Sequence, residues 1–252
     1  MELWEILIVA VAGFFSGVIK TGVGIGSGVF LLPTLSLAFP AKTALGLGAP
    51  LMLASDIIGL RYYWMQWDRS NKLLRLMLSA VPGLLIGTLL LPIIPAREFR
   101  FGVGMFGMTY ALSHLSPNMF IVRWIRARFT GINCRTGKTQ IYFYGALGGV
   151  ATVLAHAGGL VWSLYLMTSI QDRRTFVGTI VFIFFLTNTY KAIAYVFIGI
   201  IPPQTIFNIL PAVPAVWIGS SLGNLANKRM NQQLFRKIVL GVIFIVSAKL
   251  CF

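Results

Sequence analysis

The residues of this chain best suited to binding chemistry lie in one glycine-rich stretch near the N-terminus. Lys20 and Thr21 precede four glycines at alternate positions, and Ser27 separates the last two. The glycines are Gly22, Gly24, Gly26 and Gly28. Each glycine destabilises a helix by about 1 kcal/mol relative to alanine, so the stretch predicts a helix break. Freed backbone N–H groups beside an ammonium and a hydroxyl are donors suited to an oxyanion.

The composition indicates that this break lies in a membrane. The chain has 252 residues, of which 57% are hydrophobic and only 11% charged, whereas soluble domains carry roughly 25% charged residues. Several apolar segments of about 20 residues follow one another, among them 205–225 and 235–252. This is the length that crosses a bilayer as a helix. At membrane depth, irregular backbone survives only where protein buries it or where it lines a wet cavity. The sequence therefore predicts an all-α, multi-pass membrane protein with an internal polar site.

Positive charge is concentrated in a few loops, which excludes nucleic acid as the reason for the net charge of +15. Most Lys and Arg residues lie in 61–75, 123–138, 173–174 and 228–237. Cytoplasmic loops of membrane proteins are enriched in these residues, so we assign all four to the cytoplasm. The two cysteines lack the spacing of a metal site. We therefore expect membrane lipid as the surroundings, and no metal, cofactor or nucleic acid.

The chain repeats itself at a shift of 132 residues. Gly13 and Gly17 align with Gly145 and Gly149, and the agreement continues through Pro82 with Pro214 as far as Leu90 with Leu222. In this register a second glycine break aligns with the first. Its candidate binding residues are Thr152, His156, Gly158 and Gly159.

The charge distribution predicts that the two halves have opposite orientations in the membrane. All four basic loops reach the cytoplasm only if 3–39 and 141–170 are hairpins that return to the side they left. We predict two inverted-topology repeats, each a Gly-broken helical hairpin plus three transmembrane helices. The first repeat is 1–119, the basic cytoplasmic connecting loop is 120–139 and the second repeat is 140–252. Such repeats, with interrupted segments in both halves, are typical of secondary transporters with a midplane site.

Polar residues in the middle of apolar segments are candidates for coupling or gating. Asp56 aligns with Asn188, and Lys191 lies one turn beyond Asn188. Asp56 and Lys191 are expected either to form an ion pair or to serve transport. The neighbouring hydroxyls Ser55 and Thr187 are also equivalent in the repeat, and either lines the cavity or bonds to its own helix. Lys20, in turn, either serves the site or extends to water.

At these residues the chain resembles the sulfite exporter TauE/SafE family of bacterial membrane transporters. The matching parts are the alternating glycines up to Pro33, the Lys42-Thr-Ala-Leu-Gly46 run, His156-Ala-Gly-Gly159, Arg173-Arg-Thr-Phe-Val-Gly-Thr179 and Thr187-Asn188. The resemblance covers almost the whole chain. It implies transport of small sulfur-containing anions, such as sulfite or organosulfonates, across the bacterial cytoplasmic (inner) membrane.

We therefore predict a secondary transporter, an exporter by its resemblance, that moves a small anionic solute by alternating access. The anion would bind between the two glycine breaks. The sequence leaves open a channel-like anion facilitator and an intramembrane hydrolase in which Ser27 and His156 act together. It also leaves open proton coupling through His156, which titrates near neutral pH, and a homo-oligomer.

Overall fold

The structure of this protein is a computed structural model, and it describes residues 3–24, 27–115, 137–170, 172–201, 204–229, 240–241, 244–245 and 247–248. Every regular element within them is a helix, as the sequence predicts. Gly26, most of the predicted connecting loop 120–139 and most of the predicted last apolar segment, 235–252, lie outside the described residues.

The first half contains a long helix, a short one and then three further helices. They are α1 (Leu3–Val23), α2 (Ser27–Leu35), α3 (Ala41–Tyr62), α4 (Asn71–Ile93) and α5 (Ala96–Leu115). With nine residues, α2 is about 14 Å long, less than half the thickness of a bilayer core. The helical structure therefore breaks after α1, and the next helix, α2, is too short to cross a bilayer.

The second half repeats this order. Its elements are α6 (Gly137–Ala155), α7 (Gly158–Ser169), α8 (Arg173–Phe197), α9 (Gln204–Ile209), a 3-10 turn (Leu210–Ala212) and α10 (Val213–Arg229). The sequence predicted one apolar segment over 205–225, but the structure divides it. Pro211 and Pro214 lack the N–H that a continuous α-helix needs there, so the chain passes through a 3-10 turn before α10 begins.

The break in the second half forms a helical hairpin. The Trp162 indole N–H of α7 donates to the Gly145 carbonyl of α6 over 3.4 Å, and both groups are buried. A Cβ on Gly158 would lie 2.6 Å from the Thr152 Cβ, so the start of α7 needs a glycine to approach the end of α6. The elements α1–α3 and α6–α8 thus correspond, with element starts within two residues of the 132-residue shift.

The two halves pack against each other through equivalent pairs of helices. Helix α1 packs on α10, and their equivalents α6 and α4 pack on each other. Both interfaces place glycines against backbone: a Cβ on Gly219 would overlap the Phe14 carbonyl, and one on Gly83 would overlap the Ala146 carbonyl. Small residues that let backbones approach this closely are the usual means of packing helices in membranes.

The equivalent helices α3 and α8 contact each other and run antiparallel. Their contacts pair low residue numbers on one helix with high numbers on the other, and they centre on the equivalent residues Asp56 and Asn188. The contacts along the pair are Gly46 with Ile200, Asp56 with Asn188, Gly59 with Val181, and Gln66 with Gly178. The two equivalent helices therefore cross antiparallel at equivalent residues.

Four helices of the described chain are long and apolar enough to cross a membrane, and they are α1, α3, α4 and α8. The apolar part of α6, Gln140–Ala155, is shorter. Large apolar side chains on the outer face of α4, such as Leu89 and Ile93, are exposed. Because hydrocarbon rather than water would surround them, these surfaces fit a multi-pass membrane protein.

The interface between α1 and α10 gives a stability prediction. We expect Gly219→Ala to destabilise the protein by about 1–3 kcal/mol, since its methyl group overlaps the Phe14 backbone. Thermal unfolding in detergent and size-exclusion profiles measure this effect. The control is Gly102→Ala in α5, where an added Cβ meets no atom within 4 Å. Equal melting temperatures for the two variants would contradict the packing argument.

Candidate functional site

The first glycine break lies inside the protein, where α1 ends and α2 begins. Gly24 has φ +84°, a left-handed conformation that ends α1, and its N–H donates to the Ile19 carbonyl over 3.2 Å. Glycine adopts this conformation without the steric penalty of a Cβ. Helix α2 then begins at Ser27, which is fully buried with Gly28. The predicted helix break is therefore present, and it faces protein rather than lipid.

The second break has the same backbone form but a histidine in place of glycine. His156, the equivalent of Gly24, has φ +51°, and its N–H donates to the Thr152 carbonyl over 3.1 Å. A left-handed non-glycine residue costs on the order of 1–3 kcal/mol and persists only where its surroundings hold it. Here hydrogen bonds to both nitrogens of the imidazole ring fix the residue: Nε2 lies 3.1 Å from the Leu45 carbonyl and Nδ1 lies 2.6 Å from Lys191 Nζ.

The two breaks meet at His156. A Cβ on Gly28 would overlap the His156 carbonyl oxygen and lie 2.6 Å from its Cβ. On the other side, a Cβ on Gly48 of α3 would lie 2.9 Å from the His156 Nε2. The start of α2, the end of α6 and the middle of α3 therefore converge on one residue, and glycines make that convergence possible.

An ion pair lies beside this junction. Lys20 Nζ is bonded to the Asp56 carboxylate, donates to the Met52 carbonyl over 3.1 Å, and stands 4.9 Å from the centre of the Phe184 ring. Asn188 Nδ2 donates to Asp56 Oδ2 over 2.5 Å. The expected pairing of Asp56 with Lys191 is therefore wrong, because Lys20 occupies the carboxylate. Lys20 also does not extend to water, since it is 0% exposed.

Lys191 points to neutral partners instead of a carboxylate. Its Nζ donates to the Thr152 carbonyl over 3.2 Å and contacts His156 Nδ1. A carbonyl oxygen accepts only, so the His156 Nε2 facing Leu45 carries a hydrogen, which leaves Nδ1 to accept from Lys191 Nζ. This assignment makes the imidazole neutral and Lys191 the donor of the contact, so any net charge of the pair is carried by Lys191.

We call Lys20, Asp56, Thr152, His156, Asn188 and Lys191 the buried polar cluster. Each is at most 1% exposed. Among the side chains that the structure describes, the fully buried Lys, Arg, Asp and Glu residues are two lysines and one aspartate, so the cluster carries one surplus positive charge when Lys191 is protonated. An uncompensated charge in a low-dielectric interior costs several kcal/mol. The cluster is thus suited to take up a counter-ion.

Four polar atoms at the buried site are unsatisfied by protein. They make no hydrogen bond within the described part of the chain, although their solvent exposure is negligible. They are Ser27 Oγ, Ser55 Oγ, Thr152 Oγ1 and Asn188 Oδ1. Because buried polar groups in folded proteins are nearly always hydrogen-bonded, each of these atoms points to a partner that the described residues do not supply. Three are hydroxyls, which can donate to an anion.

Other residues predicted for the site use their polar groups within the protein. The Thr21 hydroxyl lies 3.0 Å from the Gly17 carbonyl and 2.7 Å from the Ser220 carbonyl, and the Gly22 carbonyl accepts from Asn227. The Thr187 hydroxyl bonds back to its own helix at Ile183. Thr21 and Gly22 therefore join α1 to α10, while Thr187 stabilises α8 locally.

The glycines of the second break serve close packing at the start of α7. Gly158 faces the Thr152 Cβ, and a Cβ on Gly159 would overlap the Phe184 ring. Phe184 thereby touches the α7 start while it stands under the Lys20 ammonium. Sequence reasoning missed Phe184 and Gly48, since an aromatic or a glycine in an apolar helix carries no distinguishing signal.

A surface depression near the start of α8 is not part of this site. It is lined by Asp68, Ser70, Lys72, Asp172, Thr175 and neighbouring residues. The Thr175 backbone N–H donates to the Asp172 carboxylate and lowers the pKa of that group below its ordinary value. Asp68 likewise bonds to Ser70. Asp172 caps α8, Asp68 accepts from Ser70 just before α4, and these two carboxylates would repel an anion.

The buried ion pair gives a second stability prediction. We expect Asp56→Asn to cost about 3–5 kcal/mol, because it leaves the Lys20 ammonium buried without its counter-charge. The double variant Lys20→Met with Asp56→Asn removes both charges and should recover most of that loss. Melting temperatures in detergent compare the three proteins. A double variant no more stable than the single one would contradict the pairing.

Comparisons with known proteins identify the chain. The family described as "Sulfite exporter TauE/SafE" matches residues 9–250. The "Probable membrane transporter protein YunE" of Bacillus subtilis (strain 168) is 22% identical over a 274-residue alignment that covers 98% of this chain and 97% of YunE. No solved structure matches the chain. This protein therefore belongs to the sulfite exporter TauE/SafE family and is a multi-pass membrane transporter.

Proposed function

We propose that this protein is a secondary transporter that binds one small anion at the buried polar cluster and moves it by alternating access. The observation that carries the proposal is the surplus positive charge of that cluster: Lys20 is paired with Asp56, whereas Lys191 meets only neutral partners among the described residues. Ionisable residues inside membranes mark substrate and ion pathways. An anion would neutralise the surplus.

The helix ends around the cluster favour the same sign of charge. Helices α2 and α7 both begin beside His156, and the first N–H groups of a helix lack intrahelical partners. The positive end of a helix macrodipole attracts anions. The hydroxyls of Ser27 and Thr152, which lie at these breaks, would donate to the oxygens of the bound ion.

Family membership suggests the chemistry of that ion. The family is described by sulfite export, so the proposed substrates are small sulfur-containing anions such as sulfite or an organosulfonate. Sulfite and sulfonates present three oxygens on one sulfur, which suits a site with several converging donors. We propose export across the bacterial cytoplasmic membrane as the direction, again from the family.

Inverted repeats would make the two sides of the transporter equivalent. The antiparallel crossing of α3 and α8 at Asp56 and Asn188 supports this arrangement, because an axis perpendicular to both helices would lie in the membrane plane. The basic segments 61–75 and 173–174 support it as well: with α3 and α8 antiparallel, the end of α3 and the start of α8 lie on one side, as the charge rule requires.

One end of the α3–α8 pair is closed by the loop that follows α3, residues 63–70. The Gln66 carbonyl oxygen lies 2.7 Å from the position that a Cβ on Gly178 would take. The Asp68 N–H donates to the Thr179 hydroxyl over 2.8 Å. The Trp67 ring stacks on Phe182 with centroids 4.6 Å apart. We propose that this loop is the cytoplasmic gate.

The other end is closed by the loop that follows α8, residues 198–201. The Ile200 carbonyl rests 2.8 Å from the position of a Cβ on Gly46, the equivalent of Gly178. Gly199 has φ +74°, which turns the loop back onto α3. With both gates closed, the buried polar cluster is shut off from either side, which supports an occluded state of a transporter over a channel.

The contacts of His156 bear on the two remaining possibilities. Both ring nitrogens are engaged, with Leu45 and Lys191, and the Ser27 hydroxyl has no hydrogen bond among the described residues. This arrangement does not favour a serine–histidine hydrolase, whose base must contact the nucleophile. It does favour proton coupling, because the 2.6 Å contact between His156 and Lys191 can pass one proton between them.

Flux in proteoliposomes tests the proposal. We expect transport of at least one of sulfite, thiosulfate, sulfoacetate and taurine, and a change in rate when a pH gradient is applied. Lys191→Gln should lower that flux at least about tenfold, since a hydrogen bond to a charged group contributes roughly 1.5–3 kcal/mol. The matched control is Lys42→Gln, which removes the same charge at the surface, where Lys42 bonds to the Pro92 carbonyl. Flux of none of the four would remove the substrate assignment.

The gates give a separate prediction, measured as access to a single cysteine. In a protein without its two native cysteines, Ser55→Cys places a thiol at a buried position beside Asp56. Gly178→Leu should prop the 63–70 loop open and speed labelling by an impermeant thiol reagent about tenfold from the cytoplasmic side. Gly46→Leu should do so from the opposite side.

Right-side-out and inside-out vesicles distinguish the two directions of labelling. Gly102→Leu serves as the control, because an added side chain there meets nothing within 4 Å. If Gly178→Leu and Gly46→Leu admit the reagent from the same side, the two loops are not opposite gates.

A further inference from the structure

We infer that the buried polar cluster selects its cargo by charge state and takes a monoanion in preference to a dianion of the same shape. The inference rests on the proposed function, since it concerns the same site. It follows from a count of the charges buried with the cargo, and it does not depend on which sulfur compound is carried.

The count is independent of where the shared protons lie. Lys20 and Asp56 are bonded to each other, so the pair is neutral whether the proton between them is on the amine or on the carboxylate. Lys191 and His156 are bonded across 2.6 Å, so together they can hold only one proton beyond their neutral forms, and the pair carries at most one positive charge whichever residue holds it. The sum is therefore +1 when that proton is present and zero when it is absent, and it never reaches +2.

The surroundings add no further charge to this sum. The partners that touch the two pairs are neutral: the carbonyls of Leu45, Met52 and Thr152, the amide of Asn188 and the ring of Phe184. Among the side chains that the structure describes, no other Lys, Arg, Asp or Glu is buried. One negative charge therefore makes the protonated cluster neutral, whereas two leave an uncompensated charge away from water.

The sequence repeat shows where this surplus originates. A carboxylate at Asp56 is matched by an amide at the equivalent Asn188, and the two side chains are hydrogen-bonded to each other. If both positions were carboxylates, the cluster would have a further acid beside the first. The amide keeps the size and the hydrogen bond of that position while leaving Lys191 without a counter-charge.

The equivalence of Asp56 and Asn188 allows a test with substitutions that hardly change side-chain volume. Asp56→Asn raises the maximum net charge of the cluster to +2. The double variant Asp56→Asn with Asn188→Asp moves the carboxylate to the equivalent position and restores +1. Lys191→Gln lowers the count to zero. Because the double variant retains one carboxylate within reach of the lysines, it keeps a buried counter-charge and serves as the decisive comparison.

Methanesulfonate and sulfate are the probes, because both are tetrahedral at sulfur and carry fixed charges of −1 and −2 at neutral pH. Ligand-induced shifts of the melting temperature, at constant ionic strength set with gluconate, yield the two dissociation constants. We expect the natural protein to bind methanesulfonate at least about tenfold more tightly than sulfate. Asp56→Asn should reverse the preference, the double variant should restore it, and Lys191→Gln should weaken both ligands at least about tenfold.

Several results would overturn the inference: equal or tighter binding of sulfate by the natural protein, binding of neither ion, or a double variant that behaves like Asp56→Asn. The control is Lys42→Gln, which changes the total charge by the same amount without touching the cluster, and it should leave the preference unchanged. The flux measurement in proteoliposomes tests the proposed function separately. If sulfur anions are transported but the monoanion is not preferred, this inference is wrong and the proposed function stands. If the monoanion is preferred but no sulfur anion is transported, the proposed function is wrong and this inference stands.

Discussion

The structure depends on the burial of charge at the point where its two halves cross. Lys20, Asp56 and Asn188 come from α1, α3 and α8, and their bonds join the first glycine break to the crossing of the equivalent helices. A buried pair of this kind is costly to break and adds little net stability. Its value lies in position, because it holds an ammonium next to a helix break in the interior of the protein.

Glycine makes this arrangement possible by removing side chains where backbones must touch. Gly28 admits the His156 carbonyl, and Gly48 admits the His156 ring, so both halves can reach the same residue. The same device appears at the two ends of α3 and α8, where Gly46 and Gly178 receive loop carbonyls. In the proposed mechanism, a glycine–carbonyl contact at each end would help to close the site from that side, and the 63–70 end adds a hydrogen bond and a ring stack.

The sequence predicted the helical breaks, the repeat and most of the buried residues, because glycine spacing and mid-helix polar residues are local signals. It could not predict that Lys20 rather than Lys191 pairs with Asp56, since both lysines are compatible with the repeat and only packing distinguishes them. It also did not predict that the 205–225 segment is divided, because the apolar character of that segment is continuous. Two prolines interrupt the α-helix there. Thr21 fits the site by position, yet its hydroxyl is used at the α1–α10 interface.

The differences between the halves matter as much as their likeness. An exact repeat would place each charged residue at both equivalent positions. Instead, each half supplies one buried lysine at a position where the other half has a different residue. Lys20 is matched by Thr152, and Lys191 is matched by Gly59, while Gly24 is matched by His156. Because the scaffold tolerates these exchanges at equivalent positions, duplication can supply the symmetric packing and later substitution can supply an asymmetric site. The surplus charge therefore arises from residues in which the halves diverge, and the glycines that admit His156 belong to the first half alone: Gly28 is matched by Leu160 and Gly48 by Ile180.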